Sequence, residues 1–405
     1  MLRSLLLFFA LFGIHTKLRL ILPGQTVIPD IITICTGLLF VLIHFPKFFR
    51  EKLFYYYSLM LFFFCSIFWG PNAFDSYILT QKFLAFFQIF SALIIGYAIF
   101  NELKKHSNSF LFYLFSYYFI FLLLGTAIEV FTPLKYTFEF MANFYREGIY
   151  YFIETTESRD IAYYLYIRPK FLTLEPSYLG ETFTMLNLFI RLLNTHKEKN
   201  IHSILLFLGS FLLVRSPAML VLFPILFLIN LFEKSTVNKL SVSNLFVFVL
   251  SVAAISVSIY FMIGRIETAM YGLDKSLIFR ILAPIYITID VLTKYPLLGV
   301  GVGAQEVIMN EMISQFASFG LKDFVISDDS ILKQNHSSVL RFLTYFGILG
   351  FSTFVYLLYK LTQSLNVKYP GLILLMFFFL GFTNGHFGIS TWTYFFIFCR
   401  ITQYD

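Results

Sequence analysis

The side chains of this 405-residue sequence that could do chemistry are a few polar groups set between apolar runs. Arg215 heads Arg215-Ser216-Pro217-Ala218 in the middle of the run from Ile201 to Phe232, which carries no other charge. A guanidinium held where water is scarce binds phosphate strongly and bidentately; the alternative is an anchor for a helix end at the bilayer edge. Arg280 precedes Ile281-Leu282-Ala283-Pro284 and then Tyr295-Pro296-Leu297-Leu298-Gly299-Val300-Gly301-Val302-Gly303, and offers either a salt bridge or a second ligand contact. The glycines permit a sharp turn and close backbone approach. Without a Gly-Lys-Ser/Thr ending they form a poor phosphate cradle, and a plain turn is their simpler role. In Gln334-Asn335-His336-Ser337-Ser338 an imidazole stands at the head of an apolar run, where it can accept a proton near neutral pH or serve structure alone. Glu175-Pro176-Ser177 sets a carboxylate before a helix-starting proline, which an ordinary N-terminal cap also explains.

The elements that must position these groups follow from composition. The chain is 58% apolar, 20% aromatic and 13% charged, with mean hydropathy +0.77. A soluble protein needs roughly 25% charged residues to cover its surface, so a water-soluble enzyme is excluded. The net charge of +7 is dispersed in short clusters rather than gathered on a basic face, which argues against nucleic acid, reads as topology information and leaves phosphate-bearing lipid open as a partner. Cys35, Cys65 and Cys399 all lie in apolar runs and offer neither a disulfide framework nor a thiolate metal site. The seven histidines are scattered, no HExxH occurs, and Asp328-Asp329 reads as a solvated loop; no metal or cofactor is expected.

A bilayer span takes about 20 apolar residues. Such runs fall near 4–22, 26–45, 53–70, 83–100, 110–131, 173–192, 203–215, 217–232, 244–263, 338–358, 370–386 and 389–402. The expected fold is all-α, a polytopic transmembrane helical bundle of about twelve spans. The first run, interrupted by His15, Lys17 and Arg19, reads as a signal anchor rather than a cleaved signal peptide. Lys47, Arg50 and Lys52, Lys104 and Lys105, Lys197 and Lys199, Lys234 and Lys239, and Lys360 and Lys368 mark short cytoplasmic connections, which places both termini inside. Five basic residues balance five acidic ones between Thr132 and Thr173, and six face eight between Gly264 and Ser337; both segments should be extracytoplasmic.

The expected organisation is therefore N-terminal spans (1–132), an outer loop (133–172), central spans (173–263), a large outer loop (264–337) and C-terminal spans (338–405). The run Ile201–Phe232 reads as a hairpin of two short spans with Arg215 at its outer apex and Pro217 breaking the helix, because a single crossing would put its flanking basic clusters on opposite sides. A single tilted helix with a snorkelling Arg is the alternative. In the large loop, Ile281, Ile285, Ile289 and Leu292, and again Ile308, Met312, Ile313 and Phe316, recur at helical spacing. They suit two amphipathic helices on the outer membrane surface, or core packing under the loop.

Taken in order, the Arg hairpin, the Arg before a Pro-Leu-x-Gly-x-Gly-x-Gly stretch, the large outer loop and Asn335-His336-Ser337-Ser338 leading into Leu340-Arg341-Phe342-Leu343-Thr344-Tyr345-Phe346-Gly347-Ile348-Leu349-Gly350 resemble the O-antigen polymerase and O-antigen ligase superfamily. The resemblance covers about residues 170 to 360, and Glu175-Pro176-Ser177 is similar to an element that polymerase members often carry. The common His-Asn pair appears as His336-Ser337, and Tyr345 stands where many members have Glu. The resemblance implies a bacterial inner-membrane glycosyltransferase with its active site on the periplasmic face. Its donor and acceptor would be undecaprenyl-pyrophosphate-linked oligosaccharides, and a chain-length regulator protein would be a partner. In this reading Arg215 and Arg280 bind the pyrophosphate, His336 is the base and Glu175 assists it, with Tyr178 and Arg341 in support. Metal-free, inverting transfer of the growing glycan to a hydroxyl of the next repeat unit follows. An O-antigen ligase acting on lipid A core uses the same donor, and a flippase of lipid-linked sugar is a rival from another class. No self-similar halves are visible to favour the flippase.

Overall fold

The computed structural model describes residues 2–18, 20–22, 26–28, 30–50, 53–134, 136–137, 167–173, 176–194, 198–233, 242–270, 277–320, 337–383 and 387–404. In chain order these form α1 (Leu2–Thr16), β1 (Leu20–Leu22), β2 (Thr26–Ile28), α2 (Ile31–Arg50), α3 (Phe54–Cys65), α4 (Ser76–Leu103), α5 (Asn108–Phe131), α6 (Pro176–Leu193), α7 (Lys199–Val214), α8 (Leu222–Glu233), α9 (Val242–Met270), α10 (Ala283–Lys294), α11 (Met309–Ser318), α12 (Ser338–Ser364), α13 (Pro370–Thr383) and α14 (Ile389–Ile401). In lipid, backbone groups have no water to bond to, so apolar runs of this length satisfy them internally as helices. Among the described residues α4, α5 and α12 are long and apolar enough to cross a membrane, and seven shorter apolar helices accompany them.

One departure from an all-helical reading lies between α1 and α2. Helix α1 ends at Thr16, Lys17 turns left-handed (φ 47°), and β1 pairs antiparallel with β2 in the register Leu20 to Ile28. The β-branched Thr26-Val27-Ile28 suit a pleated pair; the run expected at 4–22 ends as a helix at Thr16, and the one expected at 26–45 becomes a helix shifted to Ile31–Arg50. Helix α9 continues to Met270, past the boundary expected at 263.

The chain divides into two compact units, one of Met1–Ile43 with Ala98–Ser258 and the other of His44–Tyr97 with Ile259–Asp405. The first is organised around α6, which packs against α1, α5, α7 and α8. Nearly every residue of α6 is buried, so its polar side chains must find partners within the protein. Arg191 donates to the side-chain oxygens of Asn200 and Asn230 at 3.1 and 2.9 Å, and Asn187 donates to the Ser203 carbonyl at 2.8 Å. These bonds join α6 to the two helices of the Arg hairpin.

The second unit is organised around α12, which packs against α3, α10 and α13. Phe62, Phe63, Phe342, Phe346 and Phe354 form an aromatic core with ring centroids 5.0–6.4 Å apart. Within α12 the helix breaks at Gly347 (φ 60°, ψ −172°), a conformation open to glycine alone. The segment Pro296–Gly301 lies along the break as a ribbon and bonds the groups that the helix leaves free. Val300 and Gly301 donate to the carbonyls of Thr344 and Tyr345 at 3.3 and 2.8 Å. Ile348 and Leu349 donate to the carbonyls of Pro296 and Leu297 at 2.8 and 3.1 Å.

The expected amphipathic helices of the large loop both form, as α10 and α11. In α11 the buried face is the one expected, with Met312 and Phe316 inside. In α10 Ala283, Pro284, Ile287, Thr288 and Val291 are buried, whereas Ile285 and Ile289 are exposed, so of the two alternatives core packing under the loop does not describe these isoleucines. On the buried face the Thr288 hydroxyl meets that of Thr344 on α12 at 3.2 Å.

Gly347→Ala should cost about 2 kcal/mol, since the added carbon meets the Leu297 carbonyl in a backbone region closed to alanine. Gly209→Ala, where nothing lies within 4 Å, should leave stability unchanged or slightly raised. Thermal midpoints of the two variants in detergent check both expectations.

Candidate active site

The expected hairpin is present. Helix α7 ends at Arg215, the turn Pro217–Val221 follows, and α8 returns, with Phe207 packed edge-on against Phe223 at 4.6 Å. Arg215 itself closes the helix in left-handed conformation (φ 46°, ψ 41°), where its N–H donates to Phe211 at 2.8 Å. That end position ordinarily takes Gly or Asn, and a residue with a Cβ there costs about 1 kcal/mol. The strain keeps an exposed guanidinium at a chain reversal. Ser216 is buried against α6, where a carbon added at Gly180 would lie 2.7 Å from its Cβ. The small residue at 180 thus lets the apex seat on the helix that begins with Pro176.

A second assembly fixes the head of α6. The Glu129 carboxylate, at the end of α5, accepts the N–H groups of Lys170 and Phe171 at 3.0 and 2.6 Å. His15 donates from Nε2 to the Phe171 carbonyl at 2.9 Å, and its Nδ1 lies 3.5 Å from the Thr182 hydroxyl. Phe171 and Leu172 are both left-handed, and the Phe171 ring covers Gly125 so closely that no side chain fits there. Together these contacts set where the chain re-enters α6. The ring of Tyr178, one of the supporting residues expected from sequence, carries the Lys17 ammonium at 4.0 Å, a cation–π contact. Glu175, just ahead of Pro176, lies outside the described residues.

In the second unit, Arg280 falls in the single π-turn Ile278–Leu282 that opens α10, a local irregularity frequent at functional sites. Its side chain, like the whole of His336, lies outside the described part of the structure. Ser337, the next residue, is fully buried at the N-cap position of α12, where its carbonyl accepts from the Arg341 N–H at 3.0 Å and its hydroxyl makes no capping bond. The glycine stretch does more than turn. Because the N–H groups of Val300 and Gly301 are spent on α12, they are not available to a phosphate. Arg341 is partly buried and interacts electrostatically with Tyr345 one turn further on, while the Tyr345 hydroxyl bonds the Gln305 side chain. A phenol with its own partner therefore stands where many members of the superfamily have Glu. Helices α10 and α11 are tied by Glu311, which pairs with Lys294 and holds that ammonium above its ordinary value, and by Gln315 donating to Asp290. Among the described residues no cluster of three or more His, Cys, Asp or Glu could hold a metal ion.

Sequence reading passed over Glu129 and Lys82 and took His15 only as an interruption of the first apolar run. Each is a charged or titratable residue inside or beside an apolar run, which is the signal that could have singled it out.

Long apolar helices, a guanidinium at a helix elbow and a mid-helix break held by a second backbone define a polytopic helical membrane protein with built polar sites. The family model described as WcaD colanic acid polymerase matches residues 10–400, and the chain belongs to that family. It is thus a membrane polysaccharide polymerase of glycosyltransferase type, consistent with the resemblance to O-antigen polymerases. Neither a curated relative nor a solved structure matches the chain.

Arg215→Gly relieves the left-handed strain while deleting the guanidinium. Its folding stability should hold or rise by about 1 kcal/mol as activity disappears. Paired measurements of thermal midpoint and polymer yield check this; lost stability would make Arg215 a structural anchor.

Proposed function

We propose that the protein lengthens a surface polysaccharide on the periplasmic face of a bacterial inner membrane. The growing glycan passes from undecaprenyl pyrophosphate to a hydroxyl of the next lipid-linked repeat unit. The observation that carries this reading is the exposed guanidinium of Arg215, held in a strained conformation at the turn between two apolar helices, in a chain of a polymerase family. A helix end kept in an unfavourable backbone state is better explained by what its side chain does than by what its backbone gains.

The acceptor oxygen attacks the anomeric carbon and forms the new glycosidic bond. The bond from that carbon to the diphosphate oxygen breaks, and the leaving diphosphate keeps the electron pair. His336 takes the proton from the attacking hydroxyl. Arg215 and Arg280 stabilise the charge that accumulates on the diphosphate, so neither a metal nor a general acid is required. Glu175 assists His336 or binds sugar, and a single displacement inverts the anomeric configuration. Both substrates are lipid-linked oligosaccharides, and a chain-length regulator is the expected protein partner.

Purified protein in vesicles, given lipid-linked repeat units in the presence of chelator, should form long-chain polymer. Arg215→Ala and His336→Ala should each lower the rate by about a thousandfold with protein level and insertion intact. Wild-type polymer lengths from both variants would reject these site assignments. Activity lost in chelator and restored by a divalent ion would reject the metal-free mechanism.

A further inference from the structure

Lys82, near the start of α4, is fully buried. A buried ammonium is costly unless oxygen atoms accept hydrogen bonds from it, and Lys82 Nζ donates one to the Trp69 carbonyl. Among the described residues no carboxylate forms an ion pair with it. Its surroundings are backbone. A carbon added at Gly301 would lie 2.7 Å from the Lys82 Nζ, 2.7 Å from the Ser66 carbonyl and 2.8 Å from the Trp69 carbonyl. The turn that ends α3, the start of α4 and the glycine ribbon therefore meet at one α-carbon. Gly301 holds that place in left-handed conformation (φ 88°), and its N–H donates to Tyr345 on α12 at 2.8 Å. One step along, Gly303 lies so close to Gln81, Lys82 and Ala85 that the ribbon is seated on the first turns of α4.

The charge has a local electrostatic reason. Ser66 and Trp69 bracket the end of α3 and its final turn, where helix carbonyls present partial negative charge, and a cation is favoured there. The ribbon connects α10, whose opening turn bears Arg280, to the half-helix of α12 that begins two residues after His336. A group that fixes the ribbon fixes the register of both.

We propose that Lys82 is a positioning residue for glycosyl transfer: its ammonium pins the glycine ribbon to the end of α3, and through the ribbon sets the segments that bear Arg280 and His336. The proposal rests on the polymerase mechanism given above.

Lys82→Met keeps the stem and removes the charge. In vesicles supplied with lipid-linked repeat units, its kcat should fall by about tenfold or more while KM changes less than about twofold. Its thermal midpoint in detergent should stay within a few degrees of wild type. Amide exchange in peptides covering 296–304 should quicken about tenfold, a readout that needs no substrate. Gly301→Ala should give the same pair of changes, and the double variant should be no worse than the weaker single one, because both disturb the same contact. A wild-type kcat in Lys82→Met, or a loss wholly explained by less folded protein, would overturn the proposal. If Lys82→Met fails to accumulate, Lys82→Gln, which retains a donor for Trp69, takes its place; failure of both to fold makes Lys82 a structural pin and also overturns it. Absent elongation by wild type itself, with the exchange difference intact, would reject the polymerase reading and, with it, the catalytic role of Lys82, but not the ribbon contact.

Discussion

A backbone amide or carbonyl without a partner costs several kcal/mol in an apolar medium, and α12 contains a break that would strand several of them. The ribbon Pro296–Gly301 removes that cost by donating to carbonyls before Gly347 and accepting from amides after it. Everything near α12 in this unit follows from that exchange. The ribbon must come close enough for backbone to meet backbone, which requires glycine at 299, 301 and 347, each with positive φ. An added carbon at Gly299 or Gly347 would run into the opposing main chain. The result is a rigid junction in which a loop segment and a helix share one hydrogen-bond pattern, and both α10 and the first half of α12 inherit their positions from it.

The other unit solves a related problem with side chains. Where the chain returns to α6, the carboxylate of Glu129 accepts the N–H groups of Lys170 and Phe171, and the imidazole of His15 donates to the Phe171 carbonyl, beside the left-handed pair Phe171 and Leu172. At the hairpin apex, Gly180 makes room for Ser216, and the strain of the turn falls on Arg215. In both units the polar groups that disturb an apolar helix are concentrated where a helix begins, ends or breaks. Those are the points at which a membrane protein can expose charge to a substrate without stranding backbone groups in lipid.

The helical character of the chain and the hairpin at Arg215 were legible because each rests on a strong local signal: long apolar runs, and one charge followed by proline in a run too long for a single span. The short strands Leu20–Leu22 and Thr26–Ile28 were hidden because apolar residues at a helix end and in a three-residue strand look alike in composition. The face of α10 that packs on protein was not legible in the spacing of its isoleucines. Ile285 and Ile289 stay exposed while Ile287 and Thr288 turn inward, where the Thr288 hydroxyl meets that of Thr344, and a partner 56 residues away leaves no trace in local periodicity. The glycine stretch looked like a plain turn or a weak phosphate cradle; its partner is the backbone of another segment, which sequence does not encode by residue type. The family was legible from the order of Arg215, Arg280 and His336, whereas Lys82 and Glu129 were not, since their roles depend on carbonyls and amides brought together only by folding.

The central claim is that the chemistry of this polymerase faces outward, with Arg215 at the outer end of its hairpin and His336 at the outer end of α12. The direct measurement is labelling by a membrane-impermeant maleimide in intact spheroplasts, with single cysteines at 215 or 336 in a background where Cys35, Cys65 and Cys399 are replaced by alanine. Labelling of both positions without permeabilisation is the predicted result. Labelling of either one only after the membrane is opened would contradict the account.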